Sequence, residues 1–587
     1  MTRKRIWRPG DLRLLAVGFV FVAVWGVIGF RLADLQGAQA VELASVGFEQ
    51  RISEQTIVPP RGTIYDRDGV ELAMEIDGWN VVVDPSMLAD PAIATDVLAP
   101  FADAPYSELL ETLSTGWSDG GRYAEIAMRI DNAHKEEIER AIAAFNKGVD
   151  RKDRITGVFY RAQPLRVYPA GSVAAQVIGL TAYDTGAGIE GLELTFNSEL
   201  EGELGRRIVE HDPQGRVIPQ GHILVEPAVP GADLVTTIDR EIQFAAEQGL
   251  TKAIQKTGAV GGAVVVLDPK TGAILGMASA PGLDLNDRST VSAEVLRNRA
   301  VADVYEPGST LKLLTIAAAL EEGVVNPDTL IDTPHEVTIG DFTYTDASHN
   351  PPQMTVSDVV AHSSNVGTIN IEQHLGSDKH YEYLTKFGLG QRTGLDVAGE
   401  RHGVLPPTAQ WTETSGTSIA IGYAVHTTAL QMAAVYATVA NNGVWTEPYL
   451  VKEIVRADGT RIETKPRFRR ILSVETSTEL RAMLDRVIET GTGFRAELSD
   501  YTSGGKTGTT RKFDVEAGEY SQDTYASFIG MAPLNDPSVV VAIVLDTPKG
   551  HLDDGTSLAG GGAAAAPVFA DVAQNALHQL GVAPDRD

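Results

Sequence analysis

An apolar run of seventeen residues at positions 14–30, LLAVGFVFVAVWGVIGF, contains no charged side chain. Five basic residues precede it: Arg3, Lys4, Arg5, Arg8 and Arg13. At about 1.5 Å per residue, the run extended through residue 35 is just long enough to cross the hydrocarbon core of a bilayer. Basic flanks stay on the cytoplasmic side, so the pattern predicts a cytoplasmic tail at 1–13 and a transmembrane anchor at 14–35.

A cleaved signal peptide is the alternative for this segment. Ala38-Gln39-Ala40 resembles an A-x-A cleavage site. The apolar run is longer than the 7–15 residues typical of a signal-peptide core, which favours an uncleaved anchor. Either interpretation puts the rest of the chain outside the cytoplasm.

Residues 36–230 mix short strand patterns, glycine-rich turns and helical periodicity. The segment 58–73 is typical of two strands joined by an Asp-Gly turn, and 80–85 of another strand. The apolar positions over 90–146 have helical spacing, which predicts helices there. Short helices between turns are predicted over 166–181 and 186–205. We therefore expect a mixed α+β pedestal module that carries no catalytic constellation of its own.

A Pro- and Gly-containing segment at 226–239 marks a boundary, and a second module is predicted over 231–582. Asp239 is placed to cap a helix over 240–258, and two paired strands follow within 261–279. After a helix-rich block come strands near 503–509, 524–532 and 538–546, and a helix over 566–581. This order predicts one antiparallel sheet built from both ends of the module and flanked by helices.

Composition limits the partners and the kinds of catalytic or metal site that the chain can have. The net charge of −29 disfavours nucleic acid as a partner. The chain has no cysteine, which excludes disulfides, thiolate nucleophiles and Cys-ligated zinc. The twelve histidines are scattered without ligand spacing, so we predict no metal and no cofactor.

A Ser-x-x-Lys pair, Ser309 and Lys312, lies where a Pro-Gly turn runs into the apolar helical segment LKLLTIAAAL. Residues three apart on a helix are neighbours, so the lysine amine can reach the serine hydroxyl. A helix start also offers unpaired N–H groups that stabilise negative charge. The alternative for Ser309, which this context does not favour, is a helix cap. The second copy, Ser503 and Lys506, is followed by two glycines and a strand, which does not bring its lysine to the serine in this way.

Two further short motifs occur more than once, and their context selects one copy of each. Ser363-x-Asn365 lies between two helical pieces, whereas the copy at 348–350 lies in a polar loop. Lys-Thr-Gly at 506–508 enters a strand, whereas the copies at 256 and 270 end a helix and occupy a hairpin tip. A strand that begins Lys506-Thr507-Gly508-Thr509 offers a cation, two hydroxyls and a glycine where a peptide can lie along its edge.

The three selected motifs, in this order, are those of penicillin-binding proteins and serine β-lactamases. Segments 61–73, 166–179 and 188–202 resemble the N-terminal module of class B penicillin-binding proteins. Segments 298–312, 363–368, 421–443, 527–549 and 566–585 resemble the division-specific transpeptidases of that class. The sequence departs from the family where Leu-Leu-Thr follows Lys312 and where TSGG precedes Lys506, and neither change touches a reacting group.

The resemblance implies a serine β-lactamase-like transpeptidase domain that cross-links peptidoglycan stem peptides. Ser309 would attack the penultimate D-Ala carbonyl, and Lys312, kept neutral by Lys506 and by partial burial, would accept its proton. Ser363 would relay a proton to the leaving amine, and Asn365 would hold the substrate amide. Thr507 and Thr509 would bind the terminal carboxylate near Lys506, and the N–H groups of Ser309 and Thr509 would form an oxyanion hole. β-Lactams would acylate Ser309.

The resemblance also implies partners, and it leaves several alternative functions open. The partners are D-Ala-D-Ala stem peptides, β-lactams, an FtsW-like membrane glycan polymerase and other division proteins, on the cell inner membrane. A β-lactamase, an elongation-specific class B transpeptidase and a non-enzymatic β-lactam sensor or scaffold remain as alternatives. Locally, Arg61, Asp66, Arg67 and Gly69 are expected to form a buried hairpin with an Arg–Asp pair.

Overall fold

The computed structural model describes residues 9–49, 51–212, 218, 223–395 and 397–586. Arg3, Lys4, Arg5 and Arg8 of the predicted cytoplasmic tail lie outside the described residues. The chain divides into two compact units. One comprises residues 1–59 and 202–230, and the other comprises 60–201 and 231–587.

The helices are α1 (Pro9–Ala33), α2 (Ala40–Glu49), α3 (Pro91–Leu98), α4 (Tyr106–Asp119), α5 (Asn132–Lys147), α6 (Ala175–Ile178), α7 (Gly191–Thr195), α8 (Asn197–Leu200), α9 (Arg240–Thr257), α10 (Ala293–Leu296), α11 (Arg299–Ala302), α12 (Lys312–Glu321), α13 (Val356–Ala361), α14 (Asn365–Leu375), α15 (Ser377–Lys386), α16 (Ser415–Ala420), α17 (Ala429–Ala440), α18 (Val474–Glu489), α19 (Gly561–Ala564) and α20 (Ala566–Gln579).

The strands are β1 (Ile52–Ile57), β2 (Ile64–Tyr65), β3 (Glu71–Ile76), β4 (Trp79–Val83), β5 (Ala124–Ile130), β6 (Val158–Ala162), β7 (Leu165–Val167), β8 (Gly205–Glu210), β9 (Ile223–Glu226), β10 (Asp233–Thr236), β11 (Gly261–Leu267), β12 (Ile274–Ala280), β13 (Leu330–Asp332), β14 (Glu336–Ile339), β15 (Phe342–Thr345), β16 (Gln353–Thr355), β17 (Val444–Thr446), β18 (Val451–Val455), β19 (Arg461–Glu463), β20 (Phe468–Arg470), β21 (Gly504–Asp514), β22 (Glu519–Ala532) and β23 (Val539–Asp546).

The first unit holds the N-terminal helices and a small sheet. A segment at Leu12–Gly37, which includes most of α1, is long and apolar enough to cross a membrane, and none of it is buried against the protein. Exposed Phe, Val and Trp side chains around this helix match a lipid-facing surface. The sheet has the order β1-β8-β9, with antiparallel pairs throughout.

In the second unit, the antiparallel sheet β5-β4-β6 and helices α3, α4 and α5 enclose a separate apolar core. Strand β5 corrects the prediction that residues 90–146 are helical throughout. Its sequence, AEIAMRI, alternates buried and partly buried positions, which is the period of a strand. The apolar positions of the two flanking helices concealed this short period.

A buried ion cluster joins the three N-terminal segments that resemble the family. The Glu193 carboxylate, which is fully buried, accepts from Arg61 Nε at 2.7 Å and from Arg166 Nε at 2.7 Å. The predicted Arg–Asp pair within the hairpin is therefore wrong: Arg61 reaches across to α7, and Asp66 instead accepts the backbone N–H groups of Asp68 and Val70. The sequence gives no sign of this cluster, because Glu193 lies 132 residues from Arg61 and 27 residues from Arg166.

The predicted sheet built from both ends of the second module is confirmed, with the order β12-β11-β23-β22-β21. Gly261 of β11 pairs with Asp546 of β23, and Lys506 of β21 pairs with Ile529 of β22. Alternate side chains of β11 enter two different cores, since Val264 packs with α9 and α20 while Val265 packs with α12 and α17. The sheet is thus covered on both faces, and β21 is its edge strand.

Candidate active site

Ser309 lies in a 3₁₀ turn, Gly308–Thr310, that leads into α12. A hydrogen bond holds this turn in place: Gly308 N donates to the Gly422 carbonyl at 3.0 Å. A Cβ on Gly422 would lie 2.0 Å from the Gly308 oxygen, so a side chain does not fit there. Ser309 makes no side-chain cap, and its hydroxyl has no hydrogen-bond partner among the described residues. The cap interpretation of Ser309 is therefore wrong, and its partly exposed hydroxyl remains available.

Lys312 begins α12 and is 2% exposed. Its Nζ donates to the Ser363 carbonyl at 2.6 Å, to Ser363 Oγ at 3.3 Å and to Asn365 Oδ1 at 2.7 Å. Burial lowers the pKa of Lys312 to about 7, against the opposing effect of the Asp346 carboxylate. The amine is therefore substantially neutral near neutral pH, and it joins the first motif to the second.

The second motif connects α13 to the start of α14. Ser363 adopts a left-handed backbone, φ 59°, which is uncommon for a residue other than glycine. Ser364 Oγ caps α14 by accepting from Gly367 N at 2.9 Å. The turn directs both the carbonyl and the hydroxyl of Ser363 to Lys312. Strained backbone of this kind concentrates at functional sites.

Asp346 organises this turn, and sequence analysis missed it. Its carboxylate accepts from the N–H groups of Asn365 and Val366 and from Ser364 Oγ at 2.8 Å. These N–H groups are at the positive end of α14, where an anion is stabilising. Asn350, from the Ser-x-Asn copy that was assigned to a loop, donates to the same carboxylate at 2.7 Å. Asp346 follows strand β15 in a polar loop, and no residue pattern marks it.

Lys506 lies on β21 and is 1% exposed. Its Nζ donates to the Thr507 carbonyl at 3.4 Å, the one hydrogen bond found for it among the described residues. Burial, and then the positive charge of Lys312, hold the pKa of Lys506 well below its ordinary value. The expected lowering of the Lys312 pKa by Lys506 is therefore wrong: burial lowers the pKa of Lys312, and the charge effect acts from Lys312 on Lys506.

Gly508 allows β21 to lie against the turn that carries Ser309. A Cβ at Gly508 would come within 2.4 Å of Ser527 Oγ and 2.9 Å of the Pro307 carbonyl. Thr509 Oγ1 accepts from Gly561 N at 3.1 Å, and Thr507 Oγ1 is 2.8 Å from Thr492 Oγ1. Because β21 is an edge strand, its outer side offers backbone groups to an added peptide strand.

The structure therefore brings together Lys312, Ser363 and Asn365 by direct hydrogen bonds, and packs the turn that carries Ser309 against Gly508. Apart from Asn350, which contacts Asp346, the other copies of the motifs that the structure describes lie elsewhere. Ser503 Oγ donates to the Ala496 carbonyl at 3.3 Å, and Lys270 forms an ion pair with Asp536. Two buried lysines, a partly exposed hydroxyl and an open strand edge are suited to acyl transfer through a serine ester.

Comparison with known proteins identifies the class. Residues 262–574 match the penicillin binding protein transpeptidase domain, and residues 56–236 match the penicillin-binding protein dimerisation domain. The chain belongs to the class B penicillin-binding proteins and is a peptidoglycan D,D-transpeptidase.

Individual relatives cover almost the whole chain. Penicillin-binding protein PbpB of Mycolicibacterium smegmatis is 34% identical over 98% of this chain and 91% of its own length. Peptidoglycan D,D-transpeptidase FtsI of Buchnera aphidicola is 28% identical over 99% of this chain and 96% of its own. The crystal structure of penicillin binding protein 3 from Mycobacterium tuberculosis, complexed with aztreonam, superposes with a TM-score of 0.69, covering 90% of this chain and 98% of that chain at 29% identity.

Proposed function

We propose that this protein cross-links peptidoglycan during septal wall synthesis in cell division. The observation that carries the proposal is the likeness to FtsI over nearly the full length, together with the Lys312–Ser363–Asn365 contacts beside Ser309. The anchor would remain in the inner membrane with its N-terminus cytoplasmic, and the modules at 36–230 and 231–582 would lie in the periplasm. A separate FtsW-like polymerase would supply the glycan strands.

In the proposed acylation step, Ser309 Oγ attacks the carbonyl of the penultimate D-Ala as its proton passes to Lys312 Nζ. The pKa of Lys312, about 7, leaves the amine able to accept that proton near neutral pH. The oxyanion would be held by the N–H groups of Ser309 and Thr509, and loss of one such donor typically costs about 10²–10³ in rate.

In the following step, Ser363, which already contacts Lys312 Nζ, would relay the proton to the departing D-Ala amine. Asn365 would bind the substrate amide. Thr507 and Thr509, with Lys506, would bind the terminal carboxylate. The amine of a second stem peptide would then attack the Ser309 ester and release the cross-linked product, and a β-lactam would acylate the same hydroxyl.

Labelling with a fluorescent penicillin tests the nucleophile. Wild-type protein should be labelled covalently and Ser309→Ala should not, whereas Ser503→Ala, at the other Ser-x-x-Lys copy, should label normally. Persistent labelling of Ser309→Ala would exclude the assignment of Ser309.

The septal role needs a separate test. A fluorescent fusion should concentrate at midcell before constriction, and depletion should give filaments. A signal distributed along the side wall, with rounded cells on depletion, would favour the elongation-specific role instead.

A further inference from the structure

A cavity of about 290 Å³ lies in the second unit, away from the residues predicted to act on substrate. Residues from the loop after α15, from α17 and from the small β17-β20 sheet line it. None of the predicted catalytic or substrate-binding residues is among them. Its volume is close to the lower end of the range for small-ligand sites.

Among the described residues, three arginines, Arg392, Arg467 and Arg469, and no carboxylate line this cavity. Arg467 forms an ion pair with Glu447 and is thereby neutralised. Arg392 is exposed and makes no hydrogen bond or ion pair with the described residues. In a chain of net charge −29, an arginine that lines a cavity and has no acidic partner in the described part of the chain is an unusual feature.

Arg469 is held in place without being neutralised. Its guanidinium lies 3.7 Å from the ring centre of Trp445, and it donates from Nε and Nη2 to the Lys386 carbonyl at 3.2 and 3.0 Å. No carboxylate of the described residues is within ion-pair distance of it. Partial burial, and then Arg467, hold the pKa of Arg469 below its ordinary value against the opposing effect of the Glu447 carboxylate, yet an arginine stays charged at any physiological pH. A fixed guanidinium of this kind loses little freedom when it binds an anion.

The remaining walls are mixed. Phe387, Leu389, Ala434 and Val435 contribute apolar surface, whereas the polar Gln431 is saturated by its own helix cap and by the Gln391 and His402 carbonyls. The cavity therefore offers two guanidinium groups, Arg392 and Arg469, that have no carboxylate within ion-pair distance among the described residues, beside a partly apolar wall. Paired guanidinium donors suit the two oxygens of a carboxylate, and the apolar wall suits short alkyl side chains.

We propose that this cavity is a second, non-catalytic binding site for a carboxylate-bearing peptide, namely an uncross-linked stem peptide of the wall polymer. The transpeptidase works on a polymer that carries many such peptides, so a second contact would hold a strand on the enzyme between reactions. Two linked contacts bind a strand more tightly than either one alone.

The experiment uses the full-length protein in detergent after acylation with unlabelled benzylpenicillin, so that the catalytic site is closed. The probe is a fluorescent stem peptide lacking both terminal D-Ala residues, followed by fluorescence anisotropy. We expect saturable binding to the acylated protein. Arg392→Gln should weaken it about tenfold, as loss of one charge-assisted contact implies. Arg456→Gln, at an exposed arginine outside the cavity, should bind as wild type does.

Two further controls test which group of the ligand is recognised and whether each variant is folded. An amidated peptide without free carboxylates should bind about tenfold more weakly, and millimolar inorganic phosphate should not displace the acidic peptide. Arg469→Gln should also weaken binding, and each variant should be acylated by penicillin at the wild-type rate if it is folded. No binding to the acylated protein, equal binding by Arg392→Gln, or displacement by phosphate would overturn the proposal.

Discussion

The Tyr436 hydroxyl donates to the Thr310 carbonyl at 2.9 Å, one residue beyond Ser309. Tyr436 is completely buried on α17, and burial holds the pKa of its hydroxyl well above the ordinary value, so the phenol keeps its proton. The contact holds the last residue of the 3₁₀ turn, whereas Gly422 contacts the first. The position of the reacting hydroxyl thus depends on a helix that carries none of the three motifs.

We expect Tyr436→Phe to slow acylation by penicillin several-fold while the protein still folds. The substitution leaves the Thr310 carbonyl buried without a partner, which typically costs about 1–3 kcal/mol. Stopped-flow acylation rates and the melting temperature measure the two effects. Tyr381→Phe, a tyrosine on α15, is the control. An unchanged rate in Tyr436→Phe would show that Gly422 alone holds the turn.

The pH dependence of acylation should follow Lys312. The amine accepts a proton only when neutral, and its pKa is about 7. The rate should therefore fall about tenfold per pH unit below that value and level off above it. Acylation rates with a chromogenic β-lactam between pH 5.5 and 9 measure this profile. A rate that stays constant down to pH 5.5 would exclude Lys312 as the base.

Asp346→Asn should change both the rate and the pH profile. The carboxylate raises the pKa of Lys312, so its removal should shift the inflection of the profile to lower pH. The amide also cannot accept all the donors that Asp346 accepts, and we expect acylation at the plateau to fall about 10- to 100-fold, since hydrogen bonds to charged groups contribute about 1.5–3 kcal/mol each.

Asn350→Ala is the matched control for Asp346. It removes one donor to the carboxylate and keeps the charge, so the inflection should stay near its wild-type position. A fall in rate without a shift of the inflection in Asp346→Asn would mean that Asp346 acts through position alone.

Gly508→Ala should abolish acylation without unfolding the protein. The added methyl would collide with Ser527 Oγ and the Pro307 carbonyl, and the backbone carbonyl cannot rotate away. We expect at least a 100-fold loss, because β21 must withdraw from the turn that carries Ser309. Gly282→Ala, where a Cβ would meet nothing within 4 Å, should react as wild type does.

Glu193→Gln should destabilise the protein without altering chemistry at Ser309. It leaves two buried arginines without their shared carboxylate, a change that typically costs about 3–5 kcal/mol. Thermal unfolding should show a clear fall in melting temperature, and penicillin acylation well below that temperature should be unaffected. Glu203→Gln, at an exposed position, should melt as wild type does.

Periodicity was sufficient to predict the elements that are long or well marked. Asp239 caps α9 as expected, accepting from the N–H groups of Glu241 and Ile242, and the strands of the five-stranded sheet lie near their predicted positions. Strand β5 was missed because seven residues between two amphipathic helices give too short a pattern.

The sequence context also predicted which copies of the motifs lie close together, but it did not predict the contacts that hold them in place. Asp346 and Tyr436 act through contacts between separate segments, and Glu193 is shared by two arginines from other segments of the chain. Such contacts depend on the packing of elements, and local residue spacing carries no record of that packing. The alternative that Ser309 caps α12 is wrong for a related reason: the chain enters α12 through a 3₁₀ turn, and Ser309 lies within that turn.

The pairing of Gly261 with Asp546 also has a consequence for biosynthesis. Strands β11 and β12 leave the ribosome long before β21, β22 and β23, and at about 5–20 residues per second the interval is on the order of tens of seconds. During that time the early hairpin has an unpaired edge and the N-terminal anchor is already made. The edge of β11 therefore stays open until the last part of the domain has been synthesised. A chain truncated before β23 would leave that edge open permanently, which makes it a ready substrate for proteolysis.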